Sequence, residues 1–537
     1  MILFLITYII YFIYRSMEAM HMLQQNLYNE NNRYLKWTIK NSDKIFVFID
    51  FIPMLFFLII LFIKGDHYLD VALIASMFVF LFGIYDEYQR NKNNQNKLPL
   101  KVTSRIKRLF ITLLVIYGVV IYFVITAHTE LNTLLLLIVL CLLLSCIYFV
   151  VFIANIIDMP FNKIEYYYYY CRAKIKLHKH RNLNIIGITG SYGKTSSKNI
   201  LTEILSSKYI TRATPKNYNT PYGLMITINN YLDKFDEILV AEMGAYTTGR
   251  IKNLCNFVHP KYGILTVIGE AHLETFKTKE NICKTKFELI ESLPSDGIAV
   301  LNRDDPYQVN YKLKNNVPVI WIGINNKEAD IYATNIKCGS FGMSFDCHYD
   351  SDKVIKLKTK LLGSHNIYNI LASVALALKF SININDIKTS VASLKATEHR
   401  LELKKMGDIY MLDDAYNSNP VGANSAIDVL KYMNGTKVVV TPGMIELGKI
   451  EKEKNYEFGQ KIASVADYCL LIGEKRTKVI YKGLVDSGFD EENIFVLNKV
   501  VDAYGVINAL KEDGKDIYAL FENDLPDIYT EGRKNEN

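Results

Sequence analysis

Two long runs without a charged side chain constrain this chain more than any other feature. Residues 109–126 form a run of 18 and residues 131–157 a run of 27. A helix rises about 1.5 Å per residue, so either run can cross the roughly 30 Å apolar core of a bilayer. The apolar excess ends near residue 160. The sequence therefore predicts a membrane α-helical segment followed by α/β domains.

Three further apolar segments precede these runs. Residues 45–63 are interrupted by Asp50 alone, and residues 68–85 carry Asp70 near their start. Residues 1–14 are short and lack the basic start and the small-residue cleavage site of a secretory signal, which favours a retained anchor. We therefore predict five spans, or four if the first segment lies in the membrane interface. For Asp50 we favour pairing within the bundle over a functional role.

Lysine and arginine are distributed unevenly among the loops. They are frequent in residues 15–44, 86–108 and 158–181, whereas residues 64–67 carry only Lys64 and residues 127–130 carry neither. The positive-inside rule then places the rich loops, and everything after residue 157, in the cytoplasm. With five spans the N-terminus lies outside. The tyrosine run 166–170 fits an interfacial aromatic belt or, equally, a partly buried helix face.

Composition excludes several classes of protein. Half of the residues are apolar and 22% are charged, which excludes a disordered or fibrous chain. The net charge is +7 and no block of lysine and arginine is long enough to indicate a nucleic-acid partner. The 8 cysteines include no CxxC pair, so we expect reduced thiols instead of a disulfide framework or a zinc site.

After about residue 182, short β-rich runs alternate with helical patterns, as in a doubly wound α/β sheet. Residues 183–189 predict a strand and residues 196–206 predict a helix. Between them stand Gly190, Ser191, Tyr192, Gly193, Lys194 and Thr195. Glycines let backbone amides close on phosphates, and a helix N-terminus adds positive potential. This order of strand, glycines and helix favours a nucleotide-binding loop.

Two side chains of this loop match the chemistry of a bound nucleotide. Lys194 would reach the β and γ oxygens, and Thr195 would offer its hydroxyl to Mg²⁺. The strict motif is incomplete, because Ile188 occupies the place of its first glycine.

Polar side chains follow two further predicted strands. Glu242 comes directly after residues 237–241, and His272 follows residues 262–268. Open α/β sheets bind ligands at the carboxyl ends of their strands, and a carboxylate suits a hard cation. A lone histidine is more often a surface or packing residue. The place of His272 after a strand of the same sheet favours a ligand.

Further motifs follow along the chain at regular positions. The complete set is residues 187–195, Asn219, residues 242–245, residues 271–274, Lys286, residues 363–366 with Asn369, Arg400, residues 413–420 and residues 443–448. In this order and spacing, over residues 183 to about 470, they resemble the Mur ligase family, most closely its branch that adds D-alanyl-D-alanine.

The resemblance implies a role for each matching residue. ATP would contact the loop, an asparagine pair for adenine and a carboxylate for ribose: Gly190, Ser191, Gly193, Lys194, Thr195, Ser196, Asn366, Asn369 and Asp414. The catalytic residues would be Lys194, His272, Lys286 and Arg400. Mg²⁺ would be held by Thr195, Glu242, His272 and a carbamylated Lys286. The substrate would contact Asn219 and Thr220.

Simpler explanations stay open for several of these residues. Lys284 is the rival position to Lys286, and either could be an unmodified solvent-facing lysine. The asparagine pair could belong to a helix start, which Ser364 could also cap. Arg400 could form a surface salt bridge, and Asn219 could belong to a turn.

The resemblance also implies an activity and a domain order. An ATP-dependent, ADP-forming ligase would join a cell-wall precursor carboxylate to an amino-acid or dipeptide amine through an acyl phosphate, at the bacterial cell membrane. We expect residues 1–160 as the membrane segment, 161–182 as a juxtamembrane linker, 183–400 as the P-loop central ATPase domain and 401–537 as a Rossmann-like domain. Strands of that last domain are predicted at 409–413, 437–441, 468–472, 494–497 and 516–521.

Two departures from the family pattern keep other functions open. About 25 residues separate the last apolar run from the glycine loop, too few for the family's UDP-sugar-binding domain. This favours a lipid-linked acceptor or a helical bundle that recognises a carrier lipid.

Residues 521–527 are acidic where the family has a basic segment, which favours a cationic amine substrate. A solvated acidic tail with no role in binding is an equal alternative. The alternatives are a ligase for another lipid-linked or amino-acid substrate, the folate-type branch, a nucleotide-regulated transporter or sensor, and an inactive binding protein.

Overall fold

Two units divide the chain between Tyr168 and Tyr169. The computed structural model describes residues 1–63, 68–93, 99–270, 273–350, 353–407, 409–416, 419–445, 447–511 and 515–523.

The first unit is helical throughout its described part. Its helices are α1 Ile2–Gln25, α2 Arg33–Lys40, α3 Ser42–Ile45, α4 Phe48–Ile60, α5 Tyr68–Asn93, α6 Ser104–Thr126, α7 Glu130–Ser145 and α8 Ile147–Ile157, with a 3₁₀ turn at Leu27–Asn32. Helix α9, Met159–Lys179, continues into the second unit and covers most of the predicted linker. Large side chains such as Tyr8, Phe57, Phe80 and Leu140 fill the core.

Among the described residues, three helices are long and apolar enough to cross a membrane: α1, Tyr68–Gln89 within α5, and α6. Helices α7 and α8 would add a fourth, but they meet at an angle of 84°. By length and composition, the described helices therefore provide three or four candidate spans instead of the five predicted, and three segments differ from their expected form. Residues 131–157 are not one straight helix, the first segment is not short because α1 continues to Gln25, and α4 has 13 residues. Thirteen residues rise about 20 Å, too little to cross a bilayer alone.

Asp50 lies at the centre of a buried polar cluster in this unit. Arg15 Nη2 is 2.8 Å from Asp50 Oδ2, and both side chains are fully buried. Tyr11 donates its hydroxyl to Asp50 Oδ1 at 2.6 Å, and Arg15 also reaches Glu18 and Glu87 at 2.9 and 3.5 Å. The prediction that Asp50 pairs within the bundle is confirmed.

The second unit contains a nine-stranded mixed sheet. Its strands are β1 Asn184–Thr189, β2 Thr211–Ala213, β3 Ile238–Glu242, β4 Tyr262–Leu265, β5 Ile298–Asn302, β6 Val319–Gly323, β7 Ile331–Gly339, β8 Gly342–Tyr349 and β9 Lys353–Thr359. Their order is β2-β3-β1-β4-β5-β6-β7-β8-β9. The strands from β2 to β7 are parallel, and β7, β8 and β9 form antiparallel pairs.

Helices cover this sheet and bury its apolar side chains. They are α10 Lys194–Leu205, α11 Pro221–Ile226 with a π-helical turn at Thr227–Tyr231, α12 Arg250–Val258, α13 Leu273–Phe276, α14 Lys279–Glu291, α15 Pro306–Val309, α16 His365–Lys379 and α17 Ile384–Ser393. Helix α16 packs on α10, and its buried side chains Ile370 and Val374 share one hydrophobic core with Ile200 and Ile204 of α10. Burying such side chains contributes about 1.5–3 kcal/mol each, so this contact fixes α10 and the loop before it.

A second, six-stranded sheet follows Arg400. Its strands are β10 Glu402–Met406, β11 Ile409–Asp414, β12 Thr436–Thr441, β13 Tyr468–Ile472, β14 Ile494–Leu497 and β15 Ile517–Glu522, in the order β10-β11-β15-β12-β13-β14. The helices are α18 Pro420–Lys431, α19 Glu451–Ala463, α20 Glu474–Asp486 and α21 Val500–Ala509, with 3₁₀ turns at Gly448–Ile450 and Glu491–Asn493. Every strand predicted here is confirmed within one residue. Strand β10, which was not predicted, pairs antiparallel with β11.

Candidate functional site

The topology of the first sheet brings three segments to one edge. Strand β1 lies between β3 and β4, and all three run parallel. Thr189 donates its hydroxyl to the Met243 carbonyl at 2.9 Å, and the Ser191 amide donates to the Val267 carbonyl at 2.8 Å. The glycine loop, Glu242 and the segment after β4 therefore meet at the carboxyl ends of the strands, where ligands bind in such sheets.

The glycine loop joins β1 to α10 with its lysine folded over it. Lys194 Nζ donates to the carbonyl oxygens of Gly190 and Ser191 at 2.9 and 3.1 Å. Gly193 has a φ of 78°, and a Cβ there would lie 3.0 Å from Asn369 Oδ1. A larger residue would therefore be strained in backbone and in space. The loop leaves an ammonium at the N-terminus of a helix, an arrangement suited to an anion.

Glu242 ends β3 and receives hydrogen bonds on both carboxylate oxygens. Thr195 donates its hydroxyl to Oε2 at 2.9 Å, and Asn219 donates its amide to Oε1 at 2.9 Å. The Lys198 ammonium lies 3.3 Å from Oε2, with both side chains almost completely buried. Helix α10, strand β3 and the segment before α11 are thus tied together by one carboxylate.

A buried lysine and a half-buried lysine lie near enough to influence each other electrostatically. Lys286 of α14 is 3% exposed, and Lys194 is half-buried. Burial lowers the pKa of Lys194, Glu242 opposes this and Arg400 adds to it, and the resulting pKa is about 8. Burial and the charge of Lys194 lower the pKa of Lys286 well below its usual value. Positive charge gathered beside the glycine loop is suited to binding phosphates. Lys284, the rival position, is exposed.

The oxygen atoms of Thr195 and Glu242 fit a magnesium ion. Mg²⁺ takes octahedral oxygen ligands at about 2.0–2.1 Å, so neighbouring ligand oxygens lie about 2.9 Å apart. Thr195 Oγ1 and Glu242 Oε2 are 2.9 Å apart. Within the described part of the chain, no group of three histidine, cysteine, aspartate or glutamate side chains could hold a metal ion. His272 lies outside the described residues.

Asn366 and Asn369 lie at the start of α16 and are buried. Asn366 donates to the Leu362 carbonyl at 2.8 Å, Asn369 donates to Asn366 Oδ1 at 3.0 Å, and Ser197 donates to Asn369 Oδ1 at 2.8 Å. The Ser364 side chain makes no capping hydrogen bond. Asn366 also lines a small cleft with Ser196, Ile200, Leu361, Lys395 and Arg400. This cleft lies beside the start of α10, which follows the glycine loop.

The junction between the two sheets gathers Arg400, Tyr416 and Asp414. The Arg400 guanidinium lies 4.5 Å from the centre of the Tyr416 ring, a cation–π contact, and forms no ion pair with another described side chain. Asp414 accepts the Leu401 amide at 3.2 Å. Burial raises the pKa of Asp414, and the nearby Arg400 opposes this. The surface salt bridge considered for Arg400 is therefore not what holds it.

Asn219 and Thr220 belong to the segment that carries the chain from β2 to α11. Asn219 holds Glu242, as described above, and its carbonyl accepts the Gly244 amide at 2.8 Å. Thr220 is exposed and caps α11, because its hydroxyl accepts the Gly223 amide at 3.2 Å. Asn219 thus reaches the loop site, whereas the hydroxyl of Thr220 is used locally.

The profile of the Mur ligase middle domain matches residues 188–377. The chain contains a Mur ligase middle domain. The resemblance drawn from the motifs is confirmed here, and this domain holds the glycine loop, Glu242, Lys286 and both asparagines.

Relatives of known name extend the likeness beyond the Mur ligase middle domain. The UDP-N-acetylmuramoyl-tripeptide–D-alanyl-D-alanine ligase of Escherichia coli strain K12 is 31% identical over 294 residues, 54% of this chain and 65% of that protein. Its counterpart in Bacillus subtilis strain 168 is 30% identical over 283 residues, 52% of this chain and 60% of that protein. The chain thus spans less than two thirds of the length of these relatives.

Solved structures agree with the Mur ligase fold. The MurF ligase of Thermotoga maritima in complex with ADP has a TM-score of 0.60 and 26% identity, covering 68% of this chain and 81% of that one. The folylpolyglutamate synthase of Mycobacterium tuberculosis has a TM-score of 0.51 and 15% identity, covering 65% and 92%, which shows a shared fold alone.

Sequence reasoning did not assign a role to two residues of the candidate site. Lys198 stands four positions after Lys194, and helical spacing could have placed both on one face. Tyr416 receives Arg400 and a hydrogen bond from the Asn217 amide at 2.8 Å. Tyr416 lies within the motif at residues 413–420, but its role was not predicted, because both of its partners come from other parts of the chain.

Proposed function

We propose that this chain is an ATP-dependent, ADP-forming ligase that makes an amide bond on a cell-wall precursor at the cytoplasmic face of the membrane. The observation that carries the proposal is the Glu242 carboxylate, bound by Thr195 and Asn219, beside Lys194 of the glycine loop and the buried Lys286 of α14. The ligase names of its relatives support the same reaction class.

The reaction would run in two balanced steps. A substrate carboxylate oxygen attacks the γ-phosphorus of ATP, the bond to the β-phosphate oxygen breaks, and an acyl phosphate and ADP form. An amine nitrogen then attacks the acyl carbon, the carbon–oxygen bond breaks, and inorganic phosphate leaves with a proton lost from nitrogen. Phosphoryl transfer requires positioning and charge neutralisation more than covalent help, which suits a site rich in cations.

Each residue at the loop would have a specific part in this reaction. Lys194 and the loop amides would bind the phosphates and hold the γ-phosphorus in line with the attacking carboxylate. Thr195 and Glu242, with His272, would hold Mg²⁺, which neutralises phosphate charge when bound. Asn219 orients Glu242 through its amide. These contacts support a pre-arranged site, so little reorganisation would accompany the transfer.

Lys286 would serve as a carbamate. Its burial beside Lys194 favours the neutral amine, which attacks carbon dioxide, loses a proton and becomes a carboxylate. Wild-type protein in ¹³C-labelled bicarbonate should give one carbamate carbon signal by NMR. That signal should vanish in Lys286→Met and persist in the matched control Lys284→Met, because Lys284 is exposed. A signal lost in the control instead would transfer the role to Lys284.

The junction residues would complete the nucleotide site. Arg400 would close on phosphate from the boundary between the two sheets, and Asp414 would accept the ribose hydroxyls. The charge of Arg400 affects the pKa of Lys194 and the pKa of Asp414, which supports one pocket shared by the three residues. Asn366, which lines the cleft beside Ser196, would bind adenine together with the neighbouring Asn369.

The helical unit would anchor the enzyme and select a lipid-linked acceptor. The apolar lengths of α1, α5 and α6 support membrane insertion, and the basic loops support a cytoplasmic catalytic unit. Glu522 supports a cationic amine, because it is a buried carboxylate at the end of β15 opposite Asp414. Residues 524–527 of the acidic segment lie outside the described residues.

The test is phosphate release by purified full-length protein in detergent with ATP, Mg²⁺ and a panel of carboxylates and amines. Paired arms compare UDP-linked with polyprenyl-linked tripeptide, and D-alanyl-D-alanine with cationic amines. We expect release only when an acid and an amine are both present, with the lipid-linked acid preferred. Hydrolysis indifferent to both would overturn the ligase proposal, and equal use of the UDP-linked acid would overturn the lipid-linked acceptor alone.

A further inference from the structure

Lys198 forms a buried ion pair with the carboxylate proposed to hold magnesium. Its ammonium is 3.3 Å from Glu242 Oε2, and the two side chains are 2% and 1% exposed. The same ammonium donates to the Lys216 carbonyl, at the base of the segment that carries Asn219. Lys198 is therefore fixed on both sides and cannot move away without giving up two partners.

The carboxylate oxygen in this ion pair is shared. Glu242 Oε2 also accepts the Thr195 hydroxyl at 2.9 Å, and these two oxygens have the spacing of neighbouring magnesium ligands. A divalent cation at Thr195 and Glu242 would therefore lie close to a fixed ammonium. Two cations on one buried carboxylate repel each other strongly, since little water screens them.

From this geometry we propose that Lys198 is a positioning residue that makes cation binding depend on nucleotide. With Glu242 already neutralised by Lys198, a divalent cation alone gains little there. Nucleotide phosphates bound at the loop add the negative charge that offsets both cations, so metal and nucleotide enter together. The inference rests on the proposed assignment of Thr195 and Glu242 to the cation.

The measurement is Mn²⁺ binding to full-length protein without nucleotide, followed by electron paramagnetic resonance of free Mn²⁺. Lys198→Met removes the charge at similar length, and Lys198→Gln removes it while keeping a donor for the Lys216 carbonyl. We expect at least a 10-fold gain in Mn²⁺ affinity in both, and no change in Lys198→Arg. Two folded neutral variants with wild-type affinity would overturn the proposal, since a merely structural ion pair would change stability alone.

Two controls locate the gained site. Adding Glu242→Gln to Lys198→Gln should abolish the gain, and Lys284→Met should bind Mn²⁺ as the wild type does. ADP should tighten Mn²⁺ binding more in the wild type than in Lys198→Gln. A gain that survives Glu242→Gln would contradict the inference. None of these readouts needs an acid or an amine substrate, so they can succeed even if the proposed ligase reaction fails.

Discussion

The two units both bury charged side chains, but they balance them differently. In the first unit Arg15 lies against Asp50 at 2.8 Å, with Glu18 and Glu87 also within 3.5 Å. In the second unit Lys198 is paired with Glu242, but the half-buried Lys194 and the buried Lys286 form no ion pair with a described carboxylate. The Arg15–Asp50 ion pair connects helices within the protein, whereas a lysine without an ion pair can bind an anionic ligand.

This difference separates stability from function. Breaking a matched buried pair leaves an uncompensated charge and is strongly destabilising. Removing an unmatched cation relieves desolvation, so stability should stay the same or rise while ligand binding is lost.

The largest effect is expected at the loop lysine. Lys194→Met should reduce phosphate release by about three to four orders of magnitude, roughly 4–5.5 kcal/mol of transition-state stabilisation. The melting temperature should not fall, because the variant removes a cation that burial disfavours. Steady-state kinetics and thermal unfolding of the same preparation check both parts. A large loss of stability would place Lys194 with the structural charges.

The opposite pattern is expected in the first unit. Arg15→Met leaves Asp50 buried without its cation and should destabilise the helical unit by about 3–5 kcal/mol. Adding Asp50→Asn should restore part of that loss. Urea unfolding in detergent measures the change. If Arg15→Met were as stable as the wild type, the matched cluster would not be structural.

Substitution of Arg400 should reduce phosphate release less than substitution of Lys194 does, again with little change in stability. Arg400→Met removes a guanidinium that stacks on Tyr416, and phosphate release should fall about 10- to 100-fold. The free energy of unfolding should change by less than about 1 kcal/mol, because an exposed or stacked cation contributes no more than that. An Arg400→Met variant that is less stable but releases phosphate at the wild-type rate would contradict a functional role for Arg400.

The smallest predicted effect is the uptake of a fraction of a proton by Lys194 when ADP binds. Nucleotide phosphates favour the charged form of Lys194, whose pKa is lowered to about 8 before they bind. ADP binding at pH 8.5 should therefore take up part of one proton, which isothermal calorimetry in buffers of different ionisation enthalpy detects.

The same shift affects stability in a defined direction. Because the folded pKa of Lys194 lies below its unfolded value of about 10.5, folding gains stability as the pH rises from about 8 to 10.5. Lys194→Met should lose both the proton uptake and this slope. Equal uptake in the wild type and the variant would assign the proton to another group.

Sequence patterns predicted the parts of the fold that are set locally. Strands in the second sheet are recognisable because apolar runs are bounded by turn residues. The bend at Cys146 between α7 and α8 was not predictable, since an unbroken apolar run carries no signal for a break. The length of α1 was missed because Arg15 appeared to end it, whereas that charge is paired inside the unit.

The candidate site divides in the same way. Loop residues and Glu242 were predictable because strand ends and glycines have a local pattern. Lys198 and Tyr416 were not singled out, since their roles come from partners far along the chain. Whether His272 joins the site stays a prediction, because it lies outside the described residues.

The most direct test of the proposed acyl phosphate is the transfer of one oxygen atom from the substrate carboxylate to phosphate. The acid that supports phosphate release is labelled with ¹⁸O in its carboxylate, and the released phosphate is analysed by mass spectrometry. An acyl phosphate passes one carboxylate oxygen to phosphate when the amine attacks, so one ¹⁸O per phosphate is expected. Phosphate that carries only unlabelled oxygen, with an amide formed at the same rate, would contradict the reaction proposed for Lys194, Glu242 and Lys286.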